Sequence, residues 1–413
     1  MPSLPRDPAF DASLALLSDP YGYIARRCEG LGGDAFRTRI MLRPVVCGRG
    51  ERAARMFYGE GRFTRKGAMP KSVLHLLQDE GSVQGLDDAA HARRKALFME
   101  MMTEDGIARL ADLMVEGWRA RLPDREGAGR VVLHDAAREI LCGAVCAWAG
   151  IPAGEVDAAR RARELGAMVD AAGAIGPRNW GARLLRHGTE RWARGLVERA
   201  RAGGPEAGDG ALARIARHRD LDGRPLDPAV AAVELLNVLR PTVAVAHFVV
   251  FAALALERHP ECRERLAAGD EDYLEGFVRE VRRTAPFFPL VAGRARRAFD
   301  WEGHCFEEGA WMLLDIYGTD NDPKLWPGPD DFDPLRHAGR EPTAYDLIPQ
   351  GGGPFEGHRC PGEWIAIALT KAAVRLLTRE IAYAVPPQDL TIDRSRAPAL
   401  PRSGFVIADV RKI

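Results

Sequence analysis

Residues 350–364, QGGGPFEGHRCPGEW, set a cysteine in a glycine-rich loop directly ahead of the stretch GEWIAIALTKAAVRLLTREI at 362–381. The apolar period of that stretch predicts an amphipathic helix, with Cys360 just outside its start. Glycines let backbone N–H groups approach a sulfur, and a helix N-terminus adds a partial charge of about +0.5. His358 and Arg359 would add cationic donors beside the thiol. The pattern predicts a low thiol pKa and a thiolate able to hold a metal. A loop cysteine without these neighbours would be read as inert.

The rest of the chain bounds what such a site can serve. With 413 residues and 46% hydrophobic composition the chain can bury a large core. Lys+Arg and Asp+Glu stand at 58 each, so no global field recruits nucleic acid or an acidic membrane. Seven cysteines, an odd number without a CxxC, fit a reducing compartment. Cys142 and Cys146, one turn apart in LCGAVCAWAG, read as buried thiols. The N-terminus lacks a charged-then-apolar signal pattern, and the longest apolar run, Val243 to Leu256, is short for a bilayer and carries His247. The expectation is a cytoplasmic protein with no stable membrane anchor.

Residues 35–48, AFRTRIMLRPVVCG, suggest a hairpin around a turn at Arg43-Pro44. From 86 to 285, long Ala- and Leu-rich segments broken by Gly and Pro predict successive helices. After Pro286, CFEEGAWMLLDIYG and SGFVIADV read as strands. No repeat and no Gly/Ser-rich linker divides the chain. The expected fold is one mainly helical domain over 1–413 with minor β-sheets.

At Cys360 the chain resembles the cytochrome P-450 superfamily, in which a Cys-x-Gly before the last long helix supplies the axial ligand of haem b. Glu280-Val281-Arg282-Arg283 matches the superfamily's Glu-x-x-Arg, and DDFDPLRH at 330–337 resembles the segment whose arginine, here Arg336, joins Glu280 and Arg283 in a structural cluster. The resemblance implies that His358, Arg359, His91 and Lys95 contact the haem, with Arg94 in reserve and Arg294 as a further propionate candidate. The superfamily usually has an aromatic residue seven before the cysteine, where this chain has Gly353. That departure is similar to the bacterial fatty-acid peroxygenase branch, although three residues, Pro354 to Glu356, separate GGG from GHRC where four are expected.

Oxygen-dependent members carry an acid and an alcohol on the central helix; ELLNVLRPTVAVAHFVVFAALAL at 234–256 has Arg240-Pro241 there. A proline inside a helix costs about 3 kcal/mol, and periodicity alone fits equally a helix starting at Pro241 and one kinked there. The peroxygenase resemblance favours the kink, with Arg240 above the haem. It implies hydrogen peroxide as oxidant, a free fatty acid as substrate and no obligatory redox partner. An Arg fork pairs bidentately with a carboxylate, and that carboxylate could move the proton that cleaves peroxide.

Around this centre the resemblance extends along KGAMP (66–70), CAWAG (146–150) and PALPRSGFV (398–406). Gln84, in GSVQGLDD, matches the fatty-acid 2-hydroxylases, whereas alkene-forming members tend to carry His. Phe287 and Phe288, in TAPFFPLVAG, could wall the acyl tunnel or simply pack the core. The activity implied is hydroxylation of fatty acids at the alpha, or beta, carbon. The alternatives are a fatty-acid decarboxylase forming terminal alkenes and a hydroperoxide-rearranging haem-thiolate enzyme. A non-catalytic haem or fatty-acid binding protein is a third class.

Overall fold

A computed structural model describes residues 4–78, 81–125, 129–203 and 208–413. The helices that shape the site are α1 (Lys71–Leu77), α2 (Asp88–Met99), α3 (Leu133–Trp148), α4 (Ala158–Asp170), α5 (Pro177–Ala202), α6 (Pro228–Ala244), α7 (Ala246–Arg258), α8 (Glu271–Thr284) and α9 (Glu363–Arg375). Helix α6 starts where the sequence has Asp-Pro: Pro228 suits a first turn, and the Asp227 side chain accepts from Ala229 N at 2.8 Å. Pro241 therefore lies inside a helix, thirteen residues after its start, and α6 gives way to α7 only at Val245, whose φ of −58° and ψ of −20° remain helical. Downstream of the proline, Thr242 Oγ1 donates to Val238 O at 2.9 Å, a side-chain bond that supports the interrupted turn.

Together α6 and α7 form a 31-residue segment long and apolar enough to cross a membrane, a length the uninterrupted run Val243–Leu256 understates. Its most apolar window is 94% buried inside the protein, so it serves as the axis of the core. Leu235, Leu239 and Val250 on it pack with Val145 of α3, Phe277 of α8 and Leu369 of α9, all fully buried. Each such side chain contributes roughly 1.5–3 kcal/mol of burial.

Five strands, β1 (Ala35–Ile40), β2 (Arg43–Gly48), β3 (Phe63–Thr64), β4 (Leu290–Ala295) and β5 (Trp311–Asp315), form a sheet in the order β1-β2-β5-β4-β3. The β2–β5 pair is parallel and the others antiparallel. The hairpin turn falls on Met41-Leu42, two residues before the expected Arg43-Pro44. Both turn residues have positive φ, 51° and 60°, the primed geometry that a two-residue connection requires, and this fixes Ile40 opposite Arg43. The segment CFEEGAWMLLDIYG gives two strands, His304–Phe306 and β5, but its end turns helical over Ile316–Asp320 because Asp315 caps Gly318 N at 2.6 Å. Val406–Lys412 pairs with Val131–Val132 and Ile381–Ala384 in a three-stranded sheet.

Candidate active site

Two glycines shape the loop before α9 by what they leave out. A Cβ on Gly352 would meet Ala344 O at 2.7 Å, and one on Gly353, whose φ is 81°, would meet Tyr58 Cβ at 3.0 Å. Tyr58 thus takes the space of the aromatic residue expected at 353. Cys360 N donates to Gln350 O at 3.1 Å, which closes the loop. Arg282 ties the loop to the helix, donating to Gln350 Oε1 (2.8 Å) and Glu363 Oε1 (2.6 Å).

Three expectations about this loop are corrected. Arg359 turns back onto Glu363, at 2.7 and 3.1 Å, and covers the Phe355 ring, so it serves the loop and the start of α9. His358 is pushed down to about 2 by burial and by Arg65, His91 and Lys95, so it is neutral. The Cys360 thiol is pushed up by burial, against the Gly362 N–H that favours the thiolate. Chain alone therefore favours the neutral thiol, and a bound cation has to supply the charge that makes it a thiolate.

Four basic side chains gather beside the loop. The His91 and His358 rings lie 4.2 Å apart, Lys95 Nζ donates to the Arg359 carbonyl, and Arg65 donates to Ala292 O at 2.8 Å over the Phe57 ring. Burial lowers His91, Arg65 and Lys95, the last to about 8. Among the described residues no carboxylate bonds any of the four. Buried bases held together without an anion suit a dianionic partner, so the residues present fit the two propionates of a haem whose iron Cys360 would bind.

Arg65 was not foreseen; its only signal was the basic pair after the short strand, FTRKG. Arg94 does not belong to the cluster. It faces away, bonded to Asp220 (2.6 Å) and Glu234 (2.6 Å). Arg294 bonds the backbone of Gly309 at 3.2 Å and covers Trp311, also away from the cluster.

Glu280, fully buried on α8, accepts two bonds from Arg283 at 2.8 Å and one from Arg336 at 3.0 Å. His337 Nε2 adds a contact at 2.9 Å that sequence reasoning missed. Against burial, the Arg283 and His337 bonds hold Glu280 down at about 2.

Arg240, 2% exposed, donates to the carbonyls of Leu76 (3.2 Å) and Leu77 at the end of α1, and to Asn237 Oδ1 at 2.8 Å. Gln84 lies in a short 3₁₀ turn, Val83–Gly85, and its Oε1 accepts from Ser82 Oγ at 2.8 Å and Asn237 Nδ2 at 3.3 Å. The sequence candidates Arg240, Pro241 and Gln84 are thus gathered at one end of α6. Phe287 and Phe288 are half-buried and in ring contact at 4.4 Å; Phe287 also meets His247 and Phe248 of α7.

A family model described as cytochrome P450 matches residues 270–404, which hold Glu280, Arg283, Arg336 and Cys360. Among curated proteins, geissoschizine oxidase of Alstonia scholaris is 30% identical over 192 residues, 40% of this chain and 37% of that protein. Putative cytochrome P450 139 of Mycobacterium tuberculosis is 32% identical over 130 residues, 29% of each chain. The matches therefore span about a third of these relatives' length.

Solved structures match over the whole chain. Cytochrome P450SP alpha in complex with (R)-ibuprophen is 46% identical with a TM-score of 0.93, covering 97% of this chain and 99% of that one. Cytochrome P450EX alpha with myristic acid is 37% identical with a TM-score of 0.95, covering both chains fully. A single-substitution variant of cytochrome P450 OleT in complex with arachidonic acid is 33% identical with a TM-score of 0.95, covering 100% of this chain and 99% of that one.

Proposed function

The chain belongs to the cytochrome P450 family, and from that premise we propose that it is a haem-thiolate enzyme that hydroxylates free fatty acids with hydrogen peroxide. The observation that carries the reading is Arg240, buried at the proline-bearing end of α6 beside Gln84. All three ligands named in the similar structures are carboxylic acids, the chemistry that a buried guanidinium recognises.

In this reading Cys360 would hold the haem iron, and His91, Lys95, His358 and Arg65 would lie against the propionates. The haem supplies the oxidising chemistry. A guanidinium has five N–H donors, and an incoming carboxylate exchanges with part of the set that Arg240 now gives to its neighbours. In the apolar surroundings of α6 and α7 this pairing fixes the head of the substrate. One carboxylate oxygen would take the proton from one oxygen of hydrogen peroxide and return it to the other, which would leave as water. With its head fixed by Arg240, the acid would present its α-carbon, the first carbon beyond the carboxylate, for oxidation, and the product would be chiefly a 2-hydroxy acid. The enzyme needs no redox partner and works in the cytoplasm.

The test is holoprotein with hydrogen peroxide and a series of saturated fatty acids, without any reductase, and products identified by mass spectrometry. Hydroxy acids are expected. Turnover that requires reduced nicotinamide and a ferredoxin system, with none from peroxide, refutes the reading.

A further inference from the structure

We propose that Glu234 and Asn237 are positioning residues for Arg240, setting the guanidinium that receives the substrate carboxylate. The inference rests on the reading of Arg240 above and goes beyond it to residues that act through that guanidinium. Glu234, Asn237 and Arg240 stand three apart along α6, so one helical face carries all three. Asn237 Nδ2 donates to Glu234 Oε2 at 2.8 Å and to Gln84 Oε1 at 3.3 Å, while its Oδ1 accepts from Arg240 at 2.8 Å.

The orientation of the Asn237 amide follows from these partners. Two oxygens on one side and a guanidinium on the other leave one choice: flipping the amide would aim its N–H groups at Arg240 and its carbonyl at two oxygens. Glu234 is what makes the choice strict. It is fully buried, and its other oxygen accepts from Val83 N at 2.9 Å and from Arg94 at 2.6 Å. Arg94 continues to Asp220, bonded at 2.6 and 3.1 Å, on the more exposed side of the network.

Glu234 therefore fixes two things at once. Through Val83 it holds the turn that carries Gln84, and through Asn237 it holds Arg240. Burial pushes its carboxyl pKa up, while Arg94 and Asn237 favour the charged form. The pair with Arg94 compensates a buried carboxylate that would otherwise be costly at this depth. A neutral side chain at 234 would accept either orientation of Asn237, and the guanidinium would lose its set direction.

The test uses holoenzyme carrying Asn237→Leu and, separately, Glu234→Gln; the leucine variant leaves the buried Arg94–Glu234 pair untouched and is expected to fold. Crystal structures read the Arg240 guanidinium, and calorimetry reads the dissociation constants of tetradecanoate and of tetradecan-1-ol. In Asn237→Leu, Arg240 is expected to leave its contact with the Leu77 carbonyl. Tetradecanoate should weaken about tenfold, the scale of one lost hydrogen bond to a charged group, while the alcohol changes less than about twofold. Glu234→Gln should move both readouts in the same direction.

Arg240 unmoved in Asn237→Leu overturns the proposal whatever the ligands do. Equal weakening of acid and alcohol also overturns it, because that marks a general loss of packing. Failure of the underlying reading shows separately, as equal binding of acid and alcohol by the wild type, and the position of Arg240 in the variant still decides the positioning claim.

Discussion

The Tyr58 side chain lies where one on Gly353 would have to begin: a Cβ built there comes 3.0 Å from Tyr58 Cβ and 3.4 Å from its Cγ. Gly353 also has φ 81°, and its N–H donates to Ala344 O at 2.8 Å. The glycine is demanded twice, by backbone angle and by space, and both demands sit seven residues before Cys360.

Gly353→Ala should therefore destabilise the holoprotein by about 1–3 kcal/mol, the cost of a strained backbone residue. Part of the effect should fall on haem retention, because the strain is released into the loop that carries Cys360. Thermal unfolding together with haem content per chain measures it. A variant with unchanged melting temperature and full haem would show that the loop yields without cost.

How far the site was legible depended on how local its geometry is. Glu280 and Arg283 could be read because three residues on a helix share a face, and Cys360 because loop and helix adjoin in sequence. His91 and Lys95 share a face for the same reason. Arg94, their neighbour, is rotated by about 100° from Lys95 and so reaches Glu234 and Asp220 instead. Contacts between distant segments carried no such signal: Arg65 beside His358, His337 on Glu280, and Glu234 on Val83 each join parts that only the fold brings together. The low pKa expected of the free Cys360 thiol failed for another reason. Sequence shows which charges lie near a sulfur but not how deeply it is buried, and burial is the larger effect on Cys360.

Asp315 is a fully buried carboxyl whose pKa burial pushes up to about 7, although Gly318 N donates to it at 2.6 Å. Its folded value lies above its unfolded value of 3.8, so folding takes up a proton between the two. The stabilisation from the protonated form is fully present below about pH 4 and is lost as pH rises through about 7. At roughly 1.4 kcal/mol for each pH unit over which the states differ by one proton, the loss reaches about 4 kcal/mol. Asp315→Asn keeps an oxygen for Gly318 N and cannot ionise. It should remove this slope and be more stable than wild type at pH above about 8, measured by denaturant unfolding across pH. Parallel pH profiles for the two proteins would contradict a neutral Asp315.

Gln84 Oε1 takes bonds from both Ser82 and Asn237, so it is tied into the same network as Arg240. Gln84→His replaces a neutral amide, whose Oε1 accepts both bonds, with an imidazole that can carry charge near the substrate head. Products should shift from 2-hydroxy acid toward terminal alkene, quantified by gas chromatography with mass detection. A wild-type mixture already dominated by alkene would instead assign the chain to decarboxylation.

The last prediction separates the carboxylate's two roles, as anchor and as acid-base. Arg240→Ala leaves a carboxylate entering a buried site without its partner, a penalty of several kcal/mol, so fatty-acid oxidation should fall to near background while haem still binds through Cys360. A short carboxylic acid, too small to present a C–H bond to the oxidant, should still dock on Arg240 and move the proton of peroxide. The space left by the missing alkyl chain then admits a neutral molecule such as styrene, which has no carboxylate and is inert alone. Styrene oxidation by wild type is expected only with the short acid present, and Arg240→Ala should show none under either condition. The comparison is internal to one protein preparation, so poor haem loading lowers both arms alike and leaves their ratio intact. Equal styrene oxidation with and without the acid would mean that peroxide is activated without a bound carboxylate, and the proton transfer assigned to the substrate would be wrong.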